Sequence, residues 1–484
     1  MPLDLFPLLF DYSVMPFTKS IWHKLHSSEL DILHPFTLSS WATISTGVNP
    51  GKHGIFDFID VKDFKLVTKS KLEYPYINDI VAFNGLKAVT INAPLAYPPF
   101  VKNNNVVISS WVEAKPATWP PGEIKTVEKY VTTHPHKPNT LEDYIDTLTQ
   151  SLENRISLIE EYYLKKNWNL FYTVIAETDW LFHYLYGNIL RGDKLGKRAL
   201  KIFRLLDNLI KTVYENIPDK TILIMCSDHG FMEAYKSLNI NVFLKREALL
   251  KTREKQLPFA SRLILKLARL TPSWLKARLK YSSMALLVNH VNMFKVFAVD
   301  ENPIDYEQSI AFATISYNLY VNRKLPPSQR LKIRNTIIQM LENCKDMFDV
   351  IAPGEHYFWG PYVDRAPDIV LLPRKGFNVS TRLFYKSVVE KGKWYVHSSK
   401  GFIAIYVNDR DHKIDEIIEF LFDRKKSLKS TIIVPLVLYH LNLPLDPYMD
   451  EFHQLKTGGK VRLKAYRVLA KIGKKMNELS LSRV

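Results

Sequence analysis

A threonine stands at the start of a helix-like segment, Thr37-Leu-Ser-Ser-Trp41, and the block Asn49-Pro-Gly-Lys-His53-Gly54 follows closely. A threonine in this position ordinarily caps the helix. To act as a nucleophile, Thr37 would need activation, because a free hydroxyl is weak, and a metal ion supplies this by stabilising the alkoxide. The helix N-terminus behind it would favour an incoming phosphate group.

Asp179 and His183 form a second motif, Asp179-Trp-Leu-Phe-His183. On a helix, this spacing of four residues places a carboxylate and an imidazole on one face, where they can form half of a Zn²⁺ site. The ordinary alternative is a surface pair, and the spacing is compatible with both.

Two further motifs adjoin apolar strands. Ser227-Asp228-His229-Gly230 directly follows the strand predicted at Thr221–Cys226, and His397-Ser-Ser-Lys-Gly401 precedes the strand predicted at Phe402–Val407. Two potential ligands at the end of a strand, before a glycine that allows close approach, are hard to explain as structural residues. A lone histidine such as His397 is usually a hydrogen-bonded structural residue, and only the presence of the other three motifs favours a role as a ligand.

The elements that must position these residues alternate between short β-branched runs and longer helical patterns, which predicts an α/β sandwich around a large sheet. The predicted strands are Ala88–Asn92, Val106–Ser109, Leu170–Ala176, Thr221–Cys226, Asp368–Leu372 and Phe402–Val407. The predicted helices are Leu141–Lys165, Lys197–Tyr214, Pro327–Leu341, Lys413–Phe422 and Ile432–Leu441. Open α/β sheets bind ligands beyond the carboxyl ends of their strands, so we expect the site at this edge.

The stretch Ile240–Val299 interrupts this alternation with a basic, amphipathic pattern. Apolar residues at helical spacing among Arg and Lys predict a helical cap packed on the main domain. A membrane-surface helix is the alternative, which Pro258 and Pro272 weaken because they divide the stretch into short pieces. The tail after Met449 is also basic and predicts a solvated helix.

The composition favours a globular protein with anionic partners. Of 484 residues 46% are hydrophobic, and Lys and Arg exceed Asp and Glu by 66 − 49 = 17. The two cysteines, Cys226 and Cys344, have no paired-ligand spacing, which argues against a disulfide scaffold and a thiolate zinc site and favours a reducing, cytoplasmic compartment. No apolar run approaches the roughly 20 residues of a membrane-spanning helix.

Together, the four motifs resemble the type I phosphodiesterase/nucleotide pyrophosphatase family of the alkaline phosphatase superfamily. The likeness extends from about Pro16 to Asp450, and two further segments carry it: Ile91-Asn-Ala-Pro-Leu-Ala-Tyr-Pro-Pro99 and Gly360-Pro-Tyr-Val-Asp-Arg-Ala-Pro-Asp368. It implies an α/β fold with a large mixed, mostly parallel sheet flanked by helices, and an inserted helical cap. The expected domains are a discontinuous catalytic domain (residues 1–239 and 300–450), the basic cap (240–299) and a basic tail (451–484).

The resemblance also implies two divalent metal ions a few ångströms apart. The ligands that it assigns are Asp179, His183 and His397 for one ion, and Asp228 and His229 for the other. Thr37 would be close to both as the nucleophile of an in-line displacement at phosphorus. Nitrogen and oxygen ligands suit Zn²⁺ best, with Mn²⁺ as the alternative. A sulfatase would need a Cys/Ser-x-Pro-x-Arg block, which the residues around Thr37 do not provide.

One ligand of the family pattern is missing. In the family, an Asp followed by Gly ends a first apolar strand, ahead of the helix that begins here at Pro16. The carboxylates ahead of Pro16 are Asp4 and Asp11, and neither is followed by Gly. We expect the recorded start to lie downstream of the true one. The alternative is a real loss, which would weaken the binding of one metal.

The leading hypothesis is therefore a hydrolase of phosphodiesters or nucleotide pyrophosphates. A phosphomonoesterase or phosphomutase on the same metal core is one alternative. A catalytically impaired paralogue that binds metal or polyanions is another, favoured by the missing Asp and the charge of +17. The expected partner is a small anionic phosphoester, with no specific nucleic acid and no membrane span; the sequence carries no signal for an oligomeric state.

Overall fold

The computed structural model describes most of the chain. The described residues are 1–113, 115–124, 130, 140–165, 167–253, 304–383, 385, 387–408, 414–422, 427–451 and 464–481. Most of the predicted cap, residues 254–299, lies outside them, as do residues 452–463 and 482–484 of the predicted tail. The division into domains therefore stays a prediction.

Along the chain, the helices alternate with the strands of the sheets, as the sequence predicts. The α-helices are α1 (Leu5–Asp11), α2 (Pro16–Ile21), α3 (Thr37–Thr46), α4 (Pro50–His53), α5 (Ile77–Phe83), α6 (Leu141–Leu164), α7 (Glu177–Arg191), α8 (Lys194–Ala199), α9 (Lys201–Glu215), α10 (Ile240–Arg246), α11 (Pro327–Leu341), α12 (Gly354–Tyr357), α13 (Asp415–Phe422), α14 (Ile433–His440) and α15 (Arg467–Leu481). Among the described residues, no helix combines the length and apolarity needed to cross a bilayer.

The strands are short, apart from three near the middle and end of the chain. They are β1 (His26–Asp31), β2 (Ile59–Asp60), β3 (Lys65–Leu66), β4 (Ala88–Ile91), β5 (Asn105–Ile108), β6 (Thr118–Trp119), β7 (Leu170–Thr173), β8 (Thr221–Cys226), β9 (Gly230–Asn239), β10 (Ala311–Ala313), β11 (Leu319–Val321), β12 (Phe348–Pro353), β13 (Ile369–Pro373), β14 (Gly376–Ser380), β15 (Val389–Ser398), β16 (Lys400–Asn408) and β17 (Leu428–Lys429).

Two four-stranded sheets carry the main core. The first has the order β17-β1-β16-β8, in which β16 runs antiparallel to both of its neighbours. The second has the order β6-β5-β4-β7, in which the last three strands are parallel. A further four-stranded sheet, β10-β11-β13-β12, is antiparallel and has an apolar core of its own with α10 and α11. The α/β class is confirmed. The single, mostly parallel sheet that the resemblance implies is not confirmed, because the described strands form several sheets that are mixed or antiparallel.

The predicted elements agree closely with these bounds. Each of the six predicted strands and five predicted helices is present; Thr221–Cys226 and Pro327–Leu341 have the predicted ends and the others have shifted ends. The helix predicted at Lys197–Tyr214 is interrupted at Leu200, between α8 and α9. The ten-residue strands β9 and β15 were not predicted. Their sequences are polar and charged, without the alternation that marks a half-buried strand.

A buried ion pair holds the start of α7 against α6. The Nε atom of Arg155 donates to Glu177 at 3.0 Å, and the hydroxyl of Ser151 donates to the same carboxylate at 2.7 Å. The side chains of Arg155 and Glu177 are 1% and 0% exposed. Because Glu177 is the first residue of α7, this contact sets the position of Asp179 and His183 in the following turn.

Two glycines allow the elements around the expected ligands to approach closely. A Cβ atom on Gly230 would overlap the carbonyl oxygen of Lys400, where the β8–β9 and β15–β16 connections meet. A Cβ atom on Gly187 would overlap the hydroxyl of Tyr395, where α7 lies against β15. The absence of a side chain therefore decides how near His229 and α7 come to the end of β15.

Replacing Arg155 by alanine would leave Glu177 buried without its ion-pair partner. We expect Arg155→Ala to lower the free energy of unfolding by about 3–5 kcal/mol, since an uncompensated buried charge is strongly destabilising. The matched control is Arg198→Ala, which removes an exposed pair with Asp146, also on α6, and should cost about 0–1 kcal/mol. Urea denaturation of both variants measures the difference, and equal effects would contradict the anchoring role.

Replacing Gly230 by alanine would push the His229 segment away from Lys400. We expect Gly230→Ala to lower Zn²⁺ affinity about 10-fold or more, because a displaced ligand binds poorly, and to cost about 1–3 kcal/mol by overpacking. Gly85→Ala is the control, since Gly85 has a φ of +84° but a methyl group there would meet none of the described atoms within 4 Å. It should lose stability without losing Zn²⁺ affinity in calorimetric titration; an equal loss of affinity in both variants would refute the steric account.

Candidate metal centre

The five expected ligands come from three parts of the fold. Asp179 and His183 lie in the first two turns of α7. Asp228 and His229 lie in the connection between β8 and β9, and His397 lies near the end of β15. The pairing of β9 with β15 sets His397 opposite Phe231, two residues after His229. The site is thus at the carboxyl end of β8, the edge that the sequence predicts.

The carboxylate of Asp179 lies at the centre of three imidazole rings. Its Oδ1 atom is 3.5 Å from His183 Nε2, 3.6 Å from His229 Nε2 and 3.4 Å from His397 Nε2. The ligand atoms of Asp179, His229 and His397 all lie within 4.8 Å of one another. His229 thus lies close to Asp179 as well as to Asp228, and the division of the five side chains into two ligand sets stays a prediction.

Asp228 borders this cluster, because its Oδ2 atom is 3.3 Å from His229 Nε2. His183 and His397 approach each other with 3.2 Å between their Nε2 atoms. The rings of His229 and His397 are stacked, with 3.6 Å between centroids and 17° between planes. All five predicted ligands are thus in direct contact with at least one other.

The spacing of these atoms fits a metal ion. Zn–N bonds of about 2.0–2.1 Å in a tetrahedral site place two ligand atoms roughly 3.3 Å apart. The separations around Asp179 are close to this value and longer than good hydrogen bonds. Among the described residues, the buried atoms Asp179 Oδ1 and His229 Nε2 have no hydrogen-bond partner. Buried polar atoms are normally paired, so a cation is the partner that this donor set fits.

Backbone carbonyls orient two of the histidines. His397 Nδ1 is 3.0 Å from the carbonyl oxygen of Pro35, and His229 Nδ1 is 3.2 Å from that of Gly230. A carbonyl only accepts, so Nδ1 carries the proton in each ring and Nε2 is left with its lone pair. This is the tautomer in which Nε2 binds a metal.

The electrostatics of the site show a shortage of positive charge. Burial raises the pKa of Asp228 to about 7, and repulsion from Asp179 adds to the rise. Burial lowers the pKa of His229, and the neighbouring His397 lowers it further. Burial alone would also raise the pKa of Asp179, but the surrounding histidines outweigh it and hold that pKa below its usual range. Two close carboxylates beside a neutral imidazole favour a bound cation.

Thr37 is the first residue of α3 and is 8% exposed. It lines a cavity together with Asp179, Asp228 and His229. Two residues before Thr37, the carbonyl of Pro35 accepts a hydrogen bond from Nδ1 of His397. The structure thus brings Thr37 to the cavity that the expected ligands border.

Sequence reasoning did not identify two backbone groups at this site. One is the carbonyl of Pro35. The other is the carbonyl of Met1, which accepts a hydrogen bond from the hydroxyl of Ser227 at 2.8 Å. Backbone contacts of this kind leave no signal in residue type or spacing.

Comparison with known proteins gives a family and a fold. The chain matches the family model of type I phosphodiesterase / nucleotide pyrophosphatase over residues 5–395. Comparison with the curated proteins gives no match. Phosphonoacetate hydrolase from Sinorhizobium meliloti 1021, solved with phosphonoacetate, has a TM-score of 0.53 at 14% sequence identity, covering 90% of this chain and 91% of that chain. Wild-type alkaline phosphatase PafA has a TM-score of 0.51 at 12% identity, covering 91% and 94%.

At 14% and 12% identity these two likenesses show the fold alone. The family rests on the model match, which covers well over half of the chain and includes α3, α7 and the connection after β8. The chain belongs to the type I phosphodiesterase / nucleotide pyrophosphatase family.

Proposed function

We propose that this protein hydrolyses phosphodiesters or nucleotide pyrophosphates with Thr37 as the nucleophile and two divalent metal ions as cofactors. The observation that carries the proposal is the carboxylate of Asp179, whose Oδ1 atom lies 3.4–3.6 Å from three imidazole nitrogens. The family match supports a phosphoester hydrolase. The nucleophile, the number of ions and the substrate are our inference.

Asp179, His183 and His397 would hold one ion, and Asp228 and His229 would hold the other. This donor set of nitrogen and oxygen atoms suits Zn²⁺, and Mn²⁺ is the alternative. Bound divalent ions lower the pKa of a coordinated hydroxyl and neutralise the charge that develops on phosphoryl oxygens. The cavity between these residues and Thr37 is where a phosphoryl group would lie.

Thr37 has two properties that suit attack on phosphorus. It lines the same cavity as Asp179, Asp228 and His229. It is also the first residue of a ten-residue helix, whose unpaired N–H groups attract an anionic substrate. The Thr37 oxygen would attack in line, forming an O–P bond as the leaving oxygen departs with its electron pair and the hydroxyl proton passes to solvent. Water would then cleave phospho-Thr37 and restore the hydroxyl.

The expected substrate remains a small anionic phosphoester, in keeping with the net charge of +17. A cytoplasmic location also remains a prediction, which rests on the two unpaired cysteines of the sequence.

Thr37→Ala should abolish turnover of bis(p-nitrophenyl) phosphate, with a loss of roughly 10⁴-fold or more, as for removal of other catalytic nucleophiles. Zn²⁺ binding should persist. Thr46→Ala is the matched control, because the Thr46 hydroxyl donates to the Ala42 carbonyl and accepts from the Val48 N–H, at the end of the helix away from the ligand cluster. Its turnover should be unchanged. Near-wild-type turnover by Thr37→Ala would exclude Thr37 as the nucleophile, and p-nitrophenyl phosphate assayed in parallel distinguishes monoesterase from diesterase activity.

Asp179→Asn should weaken Zn²⁺ binding about 10-fold or more, because it removes the anion at the centre of the cluster. Chelation should abolish turnover by the wild-type protein, and added Zn²⁺ or Mn²⁺ should restore it. Asp146→Asn removes an exposed carboxylate on α6 and is the control. Turnover that survives exhaustive chelation would contradict a metal-dependent reaction, and unchanged Zn²⁺ affinity in Asp179→Asn would contradict the ligand assignment.

A further inference from the structure

Helix α15 is packed on the body of the protein along one side. Ala470 and Gly473 are buried on that side, and a Cβ atom on Gly473 would overlap the side chain of Phe100. The ammonium group of Lys474 forms an ion pair of 2.8 Å with Glu73. Because these contacts hold the helix in one orientation, they also fix which of its side chains face outward.

The outward side of α15 carries an apolar stripe, which we define as Val468, Ile472 and Met476. These side chains are 51%, 52% and 52% exposed. On a helix, a spacing of four residues places successive side chains on one face, so the three form a continuous surface. Single exposed apolar residues are ordinary on a soluble protein, whereas a contiguous group marks a contact surface. The other exposed large apolar side chains among the described residues lie singly elsewhere in the chain: Phe83, Leu164, Tyr235, Ile310, Leu331 and Trp359.

A basic row, which we define as Arg467, Lys471 and Lys475, runs beside the apolar stripe. Each of these residues stands one position ahead of a residue of the stripe, and all three are exposed. Their interval of four residues keeps them on a neighbouring flank of the helix. Over Arg467–Leu481, Lys and Arg outnumber Asp and Glu by 4 − 1 = 3. The exposed side of α15 thus combines apolar surface with an excess of positive charge.

The partner that fits this side of α15 is anionic and apolar at once. A second copy of the chain, in a two-fold contact through the stripe, would bring the two basic rows together, and like charges repel. An acidic protein surface would have to cover lysines, which protein interfaces tend to exclude. An anionic bilayer matches both parts, because ammonium groups reach its phosphates while apolar side chains enter the boundary between headgroups and acyl chains.

We propose that α15 is a docking surface for a bilayer that contains anionic phospholipid, and that the helix lies in the plane of that surface. The apolar stripe supplies burial at the acyl boundary, and the basic row supplies attraction to the headgroups. The net charge of +17 adds attraction at longer range. This inference concerns where the protein attaches and is independent of the proposed activity.

The test is flotation of the full chain with phospholipid vesicles in a density gradient. We expect flotation with vesicles of phosphatidylglycerol and phosphatidylcholine in equal parts, weakened by added salt, and none with phosphatidylcholine alone. Lys471→Gln/Lys475→Gln should weaken binding about 30-fold, the usual effect of removing two lysines near an anionic surface. Val468→Ser/Ile472→Ser should weaken it about 10-fold or more, because less apolar surface leaves water. Arg467 is kept, since its guanidinium packs over the ring of Tyr448.

The matched control is Leu331→Ser/Lys332→Gln, which changes an exposed leucine and an exposed lysine on α11 and should bind like the wild-type protein. Equal flotation with both kinds of vesicle, or unchanged binding by the two α15 variants, would refute the proposal. A Tm lowered by several degrees in Val468→Ser/Ile472→Ser would assign the stripe to packing within the chain, and loss of a lipid-free dimer would assign it to a second copy; either result would also refute it. No metal or turnover is measured, so failure here does not bear on the proposed function.

Discussion

The burial of the Asp179 carboxylate among three imidazole rings is the interaction on which the rest of the structure depends. An anion loses hydration when it is buried, and it is stable only where positive charge or good donors replace the water. Here the neighbours are Nε2 atoms at 3.4–3.6 Å, supplied by α7, by the connection after β8 and by β15. Those of His229 and His397 present lone pairs, so a bound cation is the positive charge that fits there. Elements more than 200 residues apart must therefore meet to within a few tenths of an ångström.

Rigid contacts outside the cluster make that meeting possible. The ion pair between Arg155 and Glu177 fixes the start of α7, and the missing side chain of Gly230 lets the β8–β9 connection reach Lys400. The Pro35 carbonyl orients His397 and at the same time ties the cluster to the start of α3. The nucleophile candidate and the ligands are thus linked by one continuous set of packed groups, as the supporting residues of metal sites usually are.

The division of the main core into two four-stranded sheets bears directly on the site. The strands that lead to Asp179 and to Asp228 belong to different sheets, and both line the same cavity. Among the described residues no strand pairs with both of them, so the helices that line the cavity hold the two halves of the ligand set in place.

The sequence by itself determined the α/β class, the six predicted strands and the helical spacing of Asp179 and His183, because periodicity is a local property. The candidate ligands came from the resemblance to the family, and their role as ligands stays a prediction. The tertiary structure decided the rest. It placed His397 on β15, a strand that its charged sequence does not predict and that pairing with β9 stabilises. It put His229 within 3.6 Å of Asp179 as well as beside Asp228, and it placed β7 and β8 in different sheets. Such facts depend on register and on contacts between distant segments, which no local pattern encodes.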